Sequence, residues 1–440
     1  MTDISLIILT CNRPTRCVDS AWHNTLAMQG LRAETIVVNN GALPVSLPAA
    51  IAGIPCRVIQ MPANLGAAAR NDGIRAATGE FILTLDDDAY MDPDLVPQML
   101  TAFKDNPAMG AVAFRIRNAK KDEEEGCLLP TVFHGCACGF RKSAIIKAGG
   151  YPTDTLYYGE EYDVTFRLYG AGFRIGFCTG PQWVRHDRDP AGRSAAHIIQ
   201  LLVRNNTRFL WKHFPAQFIP LAFRDVLQRY RLVAAKENVS QGYLQGLCAI
   251  PSAIHRGLLH RQPMRQDIFL PAMILDKVER TGRRLLRAGA AEVLIGGVGK
   301  FPSLWLAALK RNGIRVRAFL DTNTCWKDQK IGGIPVAVTG ADVATQLDSG
   351  LPCLVGAASL PENENWSNLL MLEHGYRPGA HQAALSSPAG IIDLFNFCRI
   401  TEFWPEIRAF QGQNRRGMRY ASRSDGNVSS ESATSRVRHR

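Results

Sequence analysis

The sequence has no run of apolar residues long enough to cross a membrane. Even the segment from Ile268 to Leu275 is bounded by Asp267 and Asp276, whereas a spanning helix needs about 20 mainly apolar residues. The stretch from Met1 to Thr10 also lacks the basic start of a secretory signal peptide. We therefore expect a cytoplasmic protein without a transmembrane helix.

Cysteine is sparse, and the spacing of the cysteines does not indicate a disulfide framework. The 11 cysteines are an odd number spread over 440 residues, which favours a reducing compartment over disulfide bonding. Cys136 and Cys138 are a close pair, but no second pair follows to complete a zinc site. We expect both to be core or pocket residues.

The remaining composition is that of a folded chain. Hydrophobic residues make up 46% and charged residues 20%, and the length suits two or three domains. The net charge of +12 is concentrated rather than diffuse. Residues 413–440 hold seven arginines against two acidic residues in a polar background, which predicts a disordered basic tail.

A second basic segment runs from Arg185 to Lys236, with ten Arg or Lys against three Asp and interleaved aromatic residues. This mixture suits nucleic acid or an anionic membrane surface, which Arg204, Arg208 and Lys212 would meet. It suits equally a solvated helix face over an aromatic core. Nucleic acid is disfavoured because no recognised reader motif accompanies the charge.

The first half of the chain alternates apolar runs with helical segments. Helices are predicted from about residue 15 to 28 and, rich in alanine, up to Ala77. The predicted strands are Ile4–Leu9, Glu34–Val38, Cys56–Gln60 and Phe81–Leu85. This order predicts an α/β domain with a largely parallel sheet.

Polar residues follow the strands where ligands bind in open α/β sheets, beyond the carboxyl ends. Thr10, Asn39 and the run Asp86-Asp87-Asp88 occupy such positions. Adjacent carboxylates repel one another unless a cation neutralises them, and Asp-x-Asp spacing suits a hard divalent ion. A solvated turn or a helix cap is the alternative interpretation.

Six motifs, in this order, resemble the family 2 glycosyltransferases, which have the GT-A fold and transfer a sugar from a nucleotide-diphosphate donor. The matching segments are Leu9–Pro14, Val37–Gly41, Asn64–Asn71, Leu85–Asp88, Gly149–Tyr151 with Gly159–Asp163, and His186. The resemblance covers roughly residues 3 to 260.

The resemblance implies roles for particular residues in a donor site, a metal site and a general base. The implied donor contacts are Thr10, Asn12, Arg13, Asn39, Asn64, Arg70, Asp86 and Asp87. Asp86, Asp88 and His186 would hold Mn²⁺ or Mg²⁺. Glu161 would deprotonate the acceptor hydroxyl, with Glu160 and Asp163 as alternatives.

Two positions depart from the family pattern. Asn39 stands where many members carry Asp, so the identity of the donor nucleobase is left open. Glu160-Glu161 replaces the commoner Glu-Asp and lengthens the proposed base by one methylene. If no acid acts as a base, the chain is instead a non-catalytic nucleotide-sugar binding or scaffolding protein.

A βαβ pattern restarts near Ala291. Gly297-Val298-Gly299 begins a dinucleotide fingerprint whose third glycine is replaced by Pro302, and Asp321 lies where an acid would bind ribose. Residues 290–385 resemble the N-terminal, nucleotide-sugar-binding module of bacterial sugar N-acyltransferases. Nucleotide binding at Gly297, Gly299 and Asp321 and a purely structural or interaction role both remain open.

These observations predict three parts of the chain. Residues 1–260 form a GT-A domain, 265–412 a smaller Rossmann-like domain and 413–440 the tail. The expected function is metal-dependent, inverting transfer of a sugar in bacterial surface glycan synthesis. The expected donor is a UDP-sugar, the acceptor a glycan, a lipid-linked molecule or a protein, and the expected site the cytoplasm with a peripheral contact at the inner face of the plasma membrane.

Overall fold

The apolar run near the start of the chain forms the central strand of a sheet. All seven residues of β1 (Ile4–Thr10) are buried. The strand pairs in parallel with Ala33–Asn39 on one side and with Phe81–Asp86 on the other. A strand covered on both faces needs successive apolar residues, which is why its sequence is continuous rather than alternating.

The computed structural model describes residues 3–178, 180, 182–188, 193–338, 340–359, 361–362, 366, 377–378 and 390–393. The further elements follow in chain order: α1 (Pro14–Leu26), β2 (Ala33–Asn39), β3 (Ala50–Ile51), β4 (Ile54–Gln60), α2 (Arg70–Ala76), β5 (Phe81–Asp86), β6 (Ala89–Met91), α3 (Leu95–Asp105), β7 (Met109–Ala113), β8 (Ile116–Asn118), β9 (Glu123–Glu125), β10 (Ala137–Arg141), α4 (Lys142–Lys147), α5 (Glu160–Gly170), β11 (Arg174–Phe177), β12 (Val184–His186), α6 (Ala195–His213), α7 (Ile219–Lys236), α8 (Ser240–Cys248), α9 (Ile250–Leu259), α10 (Gln266–Ala272), α11 (Leu275–Arg287), β13 (Glu292–Gly296), α12 (Pro302–Arg311), β14 (Arg315–Leu320), β15 (Lys330–Ile331), β16 (Ile334–Ala337), α13 (Gly340–Leu347), β17 (Cys353–Val355), β18 (Arg377–Pro378) and β19 (Gly390–Asp393). Short 3-10 turns occupy Gly66–Ala69, Ala216–Phe218 and Thr324–Trp326.

The first sheet has eight strands in the order β11-β7-β10-β5-β1-β2-β4-β3. Its centre is parallel, and β10 is inserted antiparallel between β5 and β7. Thr10 lies opposite Asn39, and Leu9 lies opposite Asp86. The predicted α/β fold is therefore confirmed, with the polar strand ends at one edge.

A small second sheet, β6-β12-β8-β9, extends this edge. Strand β12 pairs antiparallel with β6 and places His186 opposite Ala89, directly after the acidic run. It also pairs in parallel with β8, which in turn pairs with the acidic strand β9. Pairing in this sheet thus brings residues about 100 positions apart in the chain to one place.

The third sheet has seven strands in the order β15-β16-β14-β13-β17-β19-β18. Strands β13 and β14 are parallel and are joined by α12, which is the predicted βαβ unit. The described residues all belong to one compact unit. One cluster of buried apolar residues is continuous from the first sheet through α6 and α7 to the third.

Two of the three cations expected to meet a membrane surface, Arg208 and Lys212, are buried in that core instead. Arg208 is 5% and Lys212 is 7% exposed, and both lie among buried phenylalanines. Arg208 donates to Asp154 and Thr155 rather than facing solvent. Each of these two cations is paired with an acid inside the protein, Arg208 with Asp154 and Lys212 with Asp163.

Other predictions have mixed outcomes. The alanine-rich helix begins as a 3-10 turn at Gly66. An added Cβ at this glycine would lie 1.9 Å from the Leu156 oxygen, so the position requires glycine. Cys136 and Cys138 are buried, as expected.

No helix in the described part of the chain is long and apolar enough to cross a bilayer. The predicted tail, 413–440, lies outside the described residues.

Candidate functional site

Two carboxylates and an imidazole converge at the carboxyl edge of the first sheet. Asp86 ends β5, Asp88 follows two residues later and His186 ends β12. One ligand atom from each side chain lies within 4.8 Å of the others. The structure thus brings together the three residues that the sequence analysis assigned to a metal.

His186 is oriented by residues that the sequence analysis missed. Glu125 on β9 accepts from its Nδ1 at 2.7 Å, and Asn118 holds the other Glu125 oxygen at 2.7 Å. The Nε2 atom of His134 lies 3.8 Å from Glu125. Against the effect of burial, the hydrogen bond and charge of His186 hold the pKa of Glu125 at about 2. A carboxylate behind one ring nitrogen leaves the other directed at the cluster, as in many metal-bound histidines.

Asp87, between the two acids of the cluster, is held by Thr10 and Arg13. Its side chain is fully buried, accepts from the Thr10 hydroxyl at 2.6 Å and forms an ion pair with Arg13. Burial raises the pKa of Asp87 to about 7, although Arg13 and Thr10 favour its charged form. Arg13 also reaches to 3.4 Å from Asp88. The predicted donor residue Asp87 therefore anchors the arginine that lies beside the cluster.

Arg70 lies on the other side of the cluster. It begins α2, is 3% exposed and pairs with Asp86. Its guanidinium carbon is 5.3 Å from the centre of the Tyr151 ring. Two arginines, Arg13 and Arg70, thus place fixed positive charge at the edge where a diphosphate would meet the acids.

The three predicted donor asparagines hold loops around this edge. The Oδ1 atom of Asn12 accepts from the backbone N–H groups of Ala42 at 2.8 Å and Leu43 at 3.2 Å. Asn64 accepts from the Tyr157 hydroxyl at 3.2 Å, which links the loop before α2 to the loop before α5. These side chains order the rim of the site.

Asn39 is fully buried at the end of β2. Its Nδ2 donates to the Leu43 carbonyl at 2.8 Å and to Gln60 Oε1 at 2.7 Å, and its Oδ1 accepts from Gly41 N at 3.1 Å. The amide has thus a partner on each side. An Asp at this position would lose both donor contacts.

Glu160 and Glu161 form the first turn of α5, behind Gly159 with a φ of 96°. Burial and the charge of Glu161 raise the pKa of Glu160, whose Oε2 has no partner among the described residues. Burial also raises the pKa of Glu161, but a hydrogen bond from Gly159 and the charge of Lys300 favour its ionised form. The two acids therefore lie in different electrostatic surroundings.

Asp163 lies within a cluster of cations instead. It accepts from Arg167 at 2.6 Å, from Lys212 at 2.6 Å and from His213 at 3.0 Å, and it is 4% exposed. Although burial opposes the effect, His213, Arg167 and Lys212 hold its pKa well below the usual range. This carboxylate ties α5 to α6 and is poorly placed to take up a proton.

The predicted Rossmann-like domain, residues 265–412, is called the second module below. Its predicted nucleotide residues bond mainly to their own loop. Asp321 accepts from Val298 N at 2.8 Å and from Asn323 N at 2.7 Å, and it is 2% exposed. An added Cβ at Gly299 would lie 1.8 Å from the Ala357 oxygen. The groups that a phosphate and a ribose would need are engaged with protein.

Comparisons with known proteins give a family match within residues 1–260, called the first module below. Residues 5–148 match the model of Glycosyl transferase family 2. The poly-beta-1,6-N-acetyl-D-glucosamine synthase of Staphylococcus aureus is 27% identical over 199 residues, and that of Staphylococcus epidermidis is 25% identical over 195. The alignment covers 39% of this chain and 47% of each synthase, so the chain spans about half the length of these relatives.

Two of the solved structures similar to this chain contain a nucleotide sugar. S. aureus TarS 1-349 in complex with UDP-GlcNAc is 13% identical, with a TM-score of 0.43 over 71% of this chain and 93% of that one. Mannosyltransferase PcManGT from Pyrobaculum calidifontis, in complex with GDP-Man and Mn²⁺, is 17% identical, with a TM-score of 0.36 over 70% and 86%. The similarity of this chain to Glycosyl transferase family 2 therefore rests on the segment from residue 5 to residue 148.

Proposed function

We propose that residues 1–260 catalyse metal-dependent, inverting transfer of a sugar from a nucleotide-diphosphate donor to an acceptor hydroxyl in bacterial surface glycan synthesis. The acceptor is a glycan, a lipid-linked molecule or a protein. The observation that carries the proposal is the convergence of Asp86, Asp88 and His186 at the strand ends of a family 2 domain.

The donor set fits Mn²⁺ or Mg²⁺. Two carboxylates and one imidazole suit a hard or borderline divalent ion, and Glu125 already orients His186 for coordination. When bound, the ion supplies positive charge that stabilises the leaving diphosphate. Arg70 and Arg13 contribute charge at the same edge whether or not the ion is present.

Glu161 is the proposed base, as the motif register implied. The acceptor oxygen attacks the anomeric carbon, the bond from that carbon to the diphosphate breaks, and the nucleoside diphosphate leaves with the electron pair. The hydroxyl proton passes to Glu161. Lys300 and Gly159 support the charged form that accepts a proton, whereas Glu160 lies where the neutral form is favoured.

The name of the synthase relatives suggests the first donor to test. Poly-beta-1,6-N-acetyl-D-glucosamine is built from N-acetylglucosamine, so UDP-N-acetylglucosamine is the first choice. Asn39 contributes no carboxylate to the nucleobase side, which makes GDP- and dTDP-sugars necessary members of the panel.

The test uses the purified full chain with this donor panel and Mn²⁺, and measures release of the nucleoside diphosphate. Asp88→Asn should abolish release and weaken Mn²⁺ binding in calorimetry, while the exposed Asp105→Asn serves as the control and should leave both unchanged. Full activity in excess EDTA would contradict metal dependence. Donor binding without turnover by any panel member would support the non-catalytic alternative.

A further inference from the structure

Helices α8 and α9, at the end of the first module, form one kinked segment that packs along α6. Ala249 joins them with helical backbone angles, φ −82° and ψ −9°. Glycines line the side toward α6. An added Cβ at Gly246 would lie 2.7 Å from the Val203 Cβ, and one at Gly257 would lie 2.8 Å from the Arg208 oxygen. The two helices thus press their glycine side closely against α6.

The opposite side of this segment exposes large apolar side chains. Leu244, Leu258 and Leu259 are 59%, 52% and 67% exposed, which makes them three of the four most exposed large apolar side chains among the described residues. Leu244 and Leu259 each lie two positions from a glycine that faces α6, which is about 200° around the helix. We call this side, defined by the three leucines and Arg256, the outer face of α8 and α9.

The charge around the outer face is entirely basic along the chain. No acidic residue occurs from position 238 to position 266, between Glu237 and Asp267. Arg256 is exposed and forms no hydrogen bond or ion pair with a described residue. Burial, together with the charges of Arg256 and Arg208, lowers the pKa of Arg204 on α6. Exposed leucines are therefore accompanied by cations that have no acid nearby in the chain.

Helix α6 connects the outer face with the proposed active site. Arg204 is followed by Asn205, whose Nδ2 donates to the carbonyl of Tyr157 at 2.7 Å and to that of Tyr158 at 2.8 Å. These two carbonyls belong to the loop that leads into α5 and the proposed base Glu161. The helix on which α8 and α9 pack thus also fixes the loop before the base.

We propose that the outer face of α8 and α9 is a docking surface for an anionic phospholipid bilayer, with the leucines among the acyl chains and Arg256 at the headgroups. Such a bilayer offers both an apolar layer and negative charge, which this face complements. A symmetric contact with a second copy would instead bring identical cations together. The second module contributes none of these residues.

Among the acceptors of the proposed function, docking favours the lipid-linked one, and that preference alone rests on the proposed function. The docking itself is tested without any donor. The purified full chain is sedimented with vesicles of phosphatidylglycerol and phosphatidylcholine in equal parts. It should bind them at least about tenfold more tightly than pure phosphatidylcholine, and the binding should weaken as salt rises, because exposed charges are screened.

Variants of the outer face test which side chains carry the binding. A protein with both Leu258→Ser and Leu259→Ser should bind the anionic vesicles at least about tenfold more weakly, because two apolar side chains no longer leave water. Arg256→Gln should weaken binding about fivefold. The matched controls are Ile146→Ser on α4, where the side chain is 55% exposed, and the exposed Lys104→Gln on α3, and both should bind like wild type.

All four variants should melt within a few degrees of wild type, because the substituted side chains are exposed. Failure of the folded wild-type protein to sediment with the anionic vesicles would overturn the inference, as would equal binding by the Leu258→Ser and Leu259→Ser protein. A wild-type dimer that this variant dissociates, without vesicle binding, would assign the face to a second copy and overturn it too. Sugar transfer is measured separately by nucleoside diphosphate release, so failure of the proposed function leaves the result on docking intact.

Discussion

Replacing Asp163 by Asn tests whether this acid has a structural or a catalytic role. The change keeps the size of the side chain but removes the charge shared by Arg167, Lys212 and His213. Lys212 would be left 7% exposed without a counter-charge. Breaking a buried ion pair on one side costs about 3–5 kcal/mol, and this site contains two formal cations.

That loss converts into a measurable shift in melting temperature. A domain of this size loses about 2–4 °C per kcal/mol, so Asp163→Asn should melt about 6–20 °C below wild type at pH 7. Differential scanning fluorimetry and urea unfolding measure the shift, with Glu161→Gln as the matched control. Glu161→Gln should lower kcat by about 10²–10⁴ while melting within a few degrees of wild type.

The pH dependence of stability gives a second measure of the same cluster. The folded pKa of Asp163 is lowered, so its contribution is fully present above the unfolded value of about 3.9 and is lost as the pH falls through the folded value. Burial lowers the pKa of His213, so the unfolded chain binds its proton first and stability also declines below about pH 6.5. An Asp163→Asn protein that melts like wild type but has lost turnover would refute this reasoning and return Asp163 to the catalytic candidates.

Three further predictions follow from single contacts. Glu125→Gln should weaken Mn²⁺ binding about 10- to 100-fold in calorimetry, because it removes the charge behind His186; unchanged affinity would mean that His186 is not a ligand. Arg208→Ala should lower the melting temperature and leave the protein's binding to anionic vesicles unchanged at every salt concentration, since the guanidinium is buried; weaker vesicle binding by the folded variant would contradict this. Gly299→Ala should yield less soluble protein with a lower unfolding midpoint than wild type, because a Cβ would meet a backbone oxygen at 1.8 Å and φ is +61°; normal stability would show that the loop can relax.

The sequence predicted the elements whose signal is local. The apolar runs at β1, β2 and β5 correspond to strands, because a buried parallel strand needs apolar residues at successive positions. The predicted strand at β4 also forms, although only its first residue, Ile54, is buried. The polar residues at the ends of these strands lie at one edge of the sheet, because the carboxyl ends of parallel strands share that edge. This rule drew attention to Asp86 and Asp88.

The contacts that the sequence did not reveal are all long-range. Glu125 lies in a short acidic strand whose position depends on pairing in the second sheet. The sequence did not show that Arg208 and Lys212 are buried, because their partners Asp154 and Asp163 lie far from them in the chain. A composition of cations and aromatics does not distinguish a solvated helix face from a paired, buried one.

The hydrogen bonds of the Asn39 amide limit which residue can replace it at the end of β2. An Asp here would direct a carboxylate at two oxygens, those of the Leu43 carbonyl and of the Gln60 side chain. Gln60 cannot compensate by turning over, because its Nε2 already donates to the Gly41 carbonyl at 2.8 Å. Replacing Asn39 by the Asp that is common in the family would therefore require further substitutions around it. A mutational route to an acid at position 39 therefore has to remodel the 41–43 loop first.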